Sequence, residues 1–172
     1  MTRFRVVAGS SSIETEVRSS VHPIHGRTTE LTGVVDGEFD GDGRPLLDQP
    51  HGGWVEIQVE AIRSGNRITE LEMQRRADVG RYPTIRFEVR RAWPVNGTDR
   101  YRAAVSVSAH GRTQTFEEDF RLRRDNGRLV LDGQHTFDMR DFGVNPPRIL
   151  ALRVHPQVRV SVRLVAEEEP GS

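Results

Sequence analysis

The feature that most constrains this chain is an alternation of apolar and polar residues at period two, sustained from one end to the other. Ile85, Phe87 and Val89 alternate with Arg86, Glu88 and Arg90, while Val158, Val160, Val162 and Leu164 alternate with Arg159, Ser161 and Arg163. Successive side chains on a strand point to opposite faces, so each run offers one apolar face to a core and one charged face to water. The same reading places strands near 3–8, 13–18, 31–39, 54–62, 101–109, 115–122 and 129–139. That makes about nine runs, enough to close an all-β barrel.

Between the runs lies hairpin chemistry. Asn96-Gly97, Asn126-Gly127 and His110-Gly111 tolerate the positive φ that tight turns demand, so successive strands are expected to pair antiparallel. The stretch 40–53, rich in Gly, Pro and Asp, reads as a long surface loop with no chemistry of its own. One segment departs from the pattern. Asn66 is placed to cap a short helix through Ile68, Leu71 and Glu72 to near Ala77, with Pro83 beyond it. A lone helix between strands suits a plug or lid at one end of a barrel.

At 172 residues the sequence suits one domain, 1–172, with a substantial core. Its 25 basic and 25 acidic residues cancel, which removes the positive field that generic nucleic-acid binding requires. Every basic residue is Arg, a bias attributed to codon composition. The absence of Cys excludes disulfides, thiolate metal sites and a cysteine nucleophile. Arg3, Arg5, Glu14, Glu16 and Arg18 interrupt any apolar leader, so a chain beginning at Met1 is expected to stay cytoplasmic, and no stretch reaches the length of a transmembrane helix.

Four pieces of sequence resemble the YceI family of polyisoprenoid-binding, lipocalin-like proteins. They are Ser64-Gly65-Asn66 leading into the helix, Asp78–Phe87 with its Tyr82-Pro83-Thr84-Ile85 core, Val105–Thr113 around His110-Gly111, and Arg140-Asp141-Phe142-Gly143-Val144. The chain has Ser10 where the family often has a His opening the second strand, and Glu70 and Glu72 where its helix often carries Asp and His. The resemblance implies an eight-stranded antiparallel lipocalin-like barrel with one short helix. It also implies a lipid-binding carrier whose lumen holds an isoprenoid quinone, a polyprenyl chain or a fatty-acid-like molecule, with no cofactor. A homodimer stays open.

The inward half of each alternating strand would line such a lumen. On that reading Ile85, Phe87, Val89, Val105, Val107, Phe116, Phe120, Leu122, Leu131 and Phe137 are the ligand-binding candidates, joined by Phe142 of the last motif. The same residues would equally fill the interior of a small closed barrel; the resemblance favours the cavity. His135 shares the phase of Leu131 and Phe137, and so faces either a ligand head group or a neighbouring side chain.

His22 and His25 lack a Cys or carboxylate to complete a metal site and are assigned to a surface turn. Arg140 and Asp141 are expected to form a structural ion pair at one barrel end, and Glu70 and Glu72 to point in different directions. No catalytic residue is assigned. The alternative to a carrier is a cofactor-independent cyclase or isomerase acting by positioning alone. The two differ in whether His135 or an Arg meets a carboxylate inside the barrel.

Overall fold

A computed structural model describes residues 1–97 and 99–171. In chain order it has β1 (Thr2–Val6), β2 (Ser12–Ser19), β3 (Ile24–Thr28), β4 (Leu31–Gly37), β5 (Gly52–Gln58), α1 (Arg67–Arg76) and β6 (Thr84–Pro94). There follow β7 (Arg100–Ala109), β8 (Arg112–Asp125), β9 (Arg128–Asp138), the two-residue β10 (Arg148–Ile149) and β11 (Leu152–Glu168). All pairings are antiparallel, in the order β1-β4-β5-β6-β7-β8-β9-β11-β2-β3. Because β1 also pairs with β11, Phe4 opposite Glu168, the sheet closes on itself.

Ten of the eleven strands make eight staves, β10 pairing only with the start of β11. β1 and β2 form one stave, β4 and β3 the next, since β1 pairs with β4 and β2 with β3 across one hairpin. The break between β1 and β2 is sealed by Ser11, whose hydroxyl accepts from the Val165 amide at 2.9 Å and donates to the Val165 carbonyl at 3.2 Å. A side chain thus replaces the missing ladder bonds of a buried segment.

The alternation explains the two faces of the wall. Outward charges pair across neighbouring strands, as in Arg163 with Asp132, Arg102 with Asp119 and Arg3 with Asp36. Exposed pairs of this kind contribute little individually but keep like charges apart around the barrel. Inward residues such as Ile13, Leu31, Ile57 and Leu164 form the buried core.

The hairpins follow the expected chemistry with one difference. His110 and Gly111, and Asn126 and Gly127, all have positive φ, as a two-residue primed turn requires. In the β6–β7 connection Gly97 has positive φ while Asn96 does not, and the Val95 amide reaches the Arg100 carbonyl, so a wider loop replaces the tight turn. The Tyr101 ring of β7 lies against Phe120 at 5.7 Å.

Two further expectations need correction. His25 and Gly26 do not lie in a turn: both belong to β3, and a Cβ at Gly26 would come within 2.5 Å of Thr15 Oγ1 and 2.8 Å of Ile62, so only glycine fits there. His22 does occupy the turn, its Nδ1 3.1 Å from the Pro23 carbonyl. Arg140 pairs with Asp138 at 2.6 Å rather than with Asp141, and this bidentate contact holds the Asp138 carboxyl below its usual range. Asp138 also accepts from the Arg140 amide, capping a 3-10 turn over Met139–Phe142, and this local role is why the neighbour two residues back prevails.

Helix α1 begins where expected: the Asn66 side chain accepts from the Thr69 amide at 3.1 Å. Replacing Asn66→Ala removes this cap, and we expect a loss of about 1 kcal/mol of stability in chemical denaturation. An unchanged midpoint would show that packing alone fixes α1. Glu70 is buried and accepts from the Ser64 amide, whereas Glu72 faces outward to Arg75 and Arg76, so the two carboxylates diverge.

Candidate ligand-binding lumen

Two cavities occupy the lumen, and they meet at one ring of side chains. The upper cavity, about 190 Å³, is lined by Val89, Val105, Phe116, Phe120, Leu122, Leu131 and His135 among others. The lower, about 240 Å³, is lined by Ile85, Val107 and Phe142, and is closed from beneath by Thr69, Glu70, Met73 and Gln74 of α1. Ile13, Phe87, Phe137 and Val160 line both. Every residue proposed from the alternation, together with Phe142, therefore faces one or the other cavity.

Phe137 is central to the dividing ring. Its ring meets Phe116 edge-on at 5.1 Å, His135 at 4.7 Å and Phe142 at 6.1 Å. Phe142 is brought there by the 3-10 turn, whose backbone is tied to the β7–β8 hairpin: His110 Nδ1 lies 2.9 Å from the Phe142 carbonyl, and Gln114 donates to the Asp141 carbonyl at 3.0 Å. The motif 140–144 thus holds the Phe142 ring against Phe137 on the wall of the lower cavity.

Three contributions escaped the sequence reading. The loop between β4 and β5 is not chemically idle: Phe39, Pro45, Leu47 and His51 roof the upper cavity. Asp40 shapes the loop by accepting from the Asp42 and Arg44 amides, and Phe39 packs edge-on against the buried Phe4 at 5.2 Å. Turn-forming composition masked these anchors. Tyr101 is the second, a buried residue on the cavity wall whose phenol burial pushes up in pKa.

The third is Glu118, which the phase of Phe116 and Phe120 places inward and which period-two counting could have found. Its Oε2 lies 2.9 Å from His135 Nδ1, and its Oε1 accepts from the Asp119 amide at 3.1 Å. Burial works against ionisation of this carboxyl, but the His135 and Asp119 hydrogen bonds, with the nearby Arg102 charge, outweigh it and hold its pKa below the usual range. His135 itself stacks on Phe116 with ring centres 4.0 Å apart.

This pair sits at a gap in the wall. The β8–β9 ladder runs from Asp125–Arg128 to Phe120–Gly133 and stops there. Beyond it, among the described residues, 112–119 pairs only with β7 and 134–138 only with β11. Glu118, Phe120, Gly133, Gln134 and Val162 line both the upper cavity and a groove on the outer surface, so the gap opens the lumen sideways.

An antiparallel barrel of eight staves with an apolar, divided lumen and a lateral gap defines a lipocalin-like class of binding scaffold. Within it the chain belongs to the YceI family, for the YceI-like domain matches residues 4–166. No curated protein matches in sequence. Among solved structures, BcnA of Burkholderia cenocepacia superposes with a TM-score of 0.78 at 16% identity, covering 93% of this chain and 98% of that one. A polyisoprenoid binding domain from Saccharophagus degradans, implicated in plant cell wall breakdown, gives 0.72 at 12% identity over 96% and 98% of the two chains. The Campylobacter jejuni YCEI protein gives 0.65 at 13% identity, with 84% of each chain covered. Among the described residues no helix is long and apolar enough to cross a membrane.

Proposed function

We propose that this protein is a carrier that holds an isoprenoid-like or other long hydrophobic small molecule in the barrel lumen. The observation that carries the reading is the pair of apolar cavities stacked along the lumen on either side of Ile13, Phe87, Phe137 and Val160, which suits an elongated tail more than a compact ligand. Affinity comes from burial at about 0.8 kcal/mol per methylene, so no catalytic group is required. The polyisoprenoid-binding relative supports the same ligand class.

The test is mass spectrometry of organic extracts from protein purified without detergent from its native cells. A long-chain isoprenoid or similar lipid at near one per chain is expected. Extracts free of such lipid, from a protein that also fails to retain tritiated farnesyl methyl ether in equilibrium dialysis, would overturn the reading.

A second reading rests on the contact between His135 and Glu118 inside the lumen. A carboxylate that orients an imidazole beside an apolar cavity is an acid–base arrangement that a cofactor-independent cyclase or isomerase could use. New products on incubation with polyprenyl substrates, lost in His135→Phe, would favour this enzyme over the carrier.

A further inference from the structure

The upper cavity is largely apolar, and of the polar side chains on its lining Glu118 and His135 hydrogen-bond to each other, an arrangement with a definite polarity. An ionised carboxylate only accepts hydrogen bonds, so the imidazole nitrogen facing Glu118 Oε2, Nδ1, carries a proton, and in the neutral tautomer this leaves Nε2 bare. The opposite nitrogen, Nε2, is then an acceptor, and it has no hydrogen-bond partner among the described residues. It is not sealed off either, since no buried side-chain polar atom lacks a partner and the His135 side chain retains 26% exposure. His135 lines the upper cavity but not the outer groove, so its open edge belongs to the lumen.

The flanking rings fix this orientation. Phe116 stacks on one face of the imidazole at 4.0 Å and Phe137 meets it edge-on at 4.7 Å, leaving the ring little freedom to turn Nδ1 away from Glu118. Glu118 lines both the cavity and the groove and remains 41% exposed, which puts negative charge at the lateral gap itself. An anionic head group arriving there meets a like charge.

From this arrangement, and resting on the carrier reading, we propose that Glu118 and His135 form a head-group site at the β8–β9 gap. The site takes a lipid ending in a neutral hydroxyl, which donates to His135 Nε2, and rejects the carboxylate or phosphate bearing the same tail. The fatty-acid-like ligands admitted by the sequence are thereby excluded. The tail runs inward past Phe137.

A matched-tail series tests this by equilibrium dialysis at neutral pH: farnesol, farnesyl methyl ether, farnesoic acid and farnesylamine, against wild type, Glu118→Gln and His135→Phe. The ether keeps the tail but cannot donate. We expect farnesol to bind wild type about ten-fold more tightly than the ether, the effect of one desolvated hydrogen bond, and farnesoic acid to bind more weakly than either. Glu118→Gln should bring the acid close to the ether. His135→Phe preserves the aromatic stack and should bring the alcohol down to the ether measured in the same protein. If the ether binds but the alcohol gains nothing from His135, the head-group site is wrong while the carrier stands. If farnesylamine outbinds farnesol, the site selects cations and the hydroxyl assignment fails. If the ether does not bind wild type at all, the carrier reading itself has failed.

Discussion

Phe137→Asp should abolish retention of farnesyl methyl ether, with affinity falling about 100-fold or more, because the substitution places a carboxylate where the two cavities meet and an apolar tail must pass. A missing contact alone would cost far less, so Phe137→Ala should weaken binding by only about ten-fold, the equivalent of one to two buried methylenes. The control is Arg86→Gln: Arg86 lies on the outer face of β6, over the Trp54 ring at 4.3 Å, and should leave binding within about two-fold of wild type. Circular dichroism first establishes that each variant retains the barrel. Equal retention by all three folded variants would mean that the lumen is not where the ligand sits.

The second large effect is on stability. Gly33→Ala should lower the free energy of unfolding by about 3 kcal/mol or prevent folding, since backbone must move to admit the methyl group. A Cβ at Gly33 would stand 2.3 Å from the Trp54 carbonyl oxygen and 3.0 Å from Val55 Cα, both on the backbone of the adjacent strand β5. Neither is a flexible side chain that can yield. Gly127→Ala offers the comparison: a Cβ there meets nothing, and the cost is that of φ +79 alone, about 1 kcal/mol. Chemical denaturation of both variants separates the two mechanisms. Similar midpoints would show that β4 and β5 can part without penalty.

Much of the fold was legible because its cause is local. Alternation alone marks Ile85, Phe87 and Val89 as one face of a strand, and the cap at Asn66 starts a helix whatever lies around it. Where local chemistry and tertiary demand disagree, the reading misled. Gly26 beside Pro23 looks like a turn, yet it is glycine because Thr15 and Ile62 press against that face of β3. The segment 40–53, rich in Gly, Pro and Asp, reads as idle loop, yet Pro45, Leu47 and His51 fold back to roof the lumen. In β6 a register shift between Val89 and Arg91 returns Ala92 to the inner face, where simple parity would put it outside.

That this chain makes strands with one apolar face, which turns reverse them, and where the helix begins all follow from short stretches of sequence, since each depends on a few neighbouring residues and their φ, ψ and phase. Where pairing stops is set by the closed barrel as a whole. Nothing in 112–119 or 134–138 announces that their mutual ladder ends at Phe120 and Gly133, because that depends on closing eight staves around one lumen and on the 3-10 turn drawn against β8. Phase could place Glu118 and His135 on the inner face, but their meeting across the gap is a contact between residues 17 apart in sequence, set by the strand register. Periodicity tells a side chain which way to face, and closure tells it whom it meets.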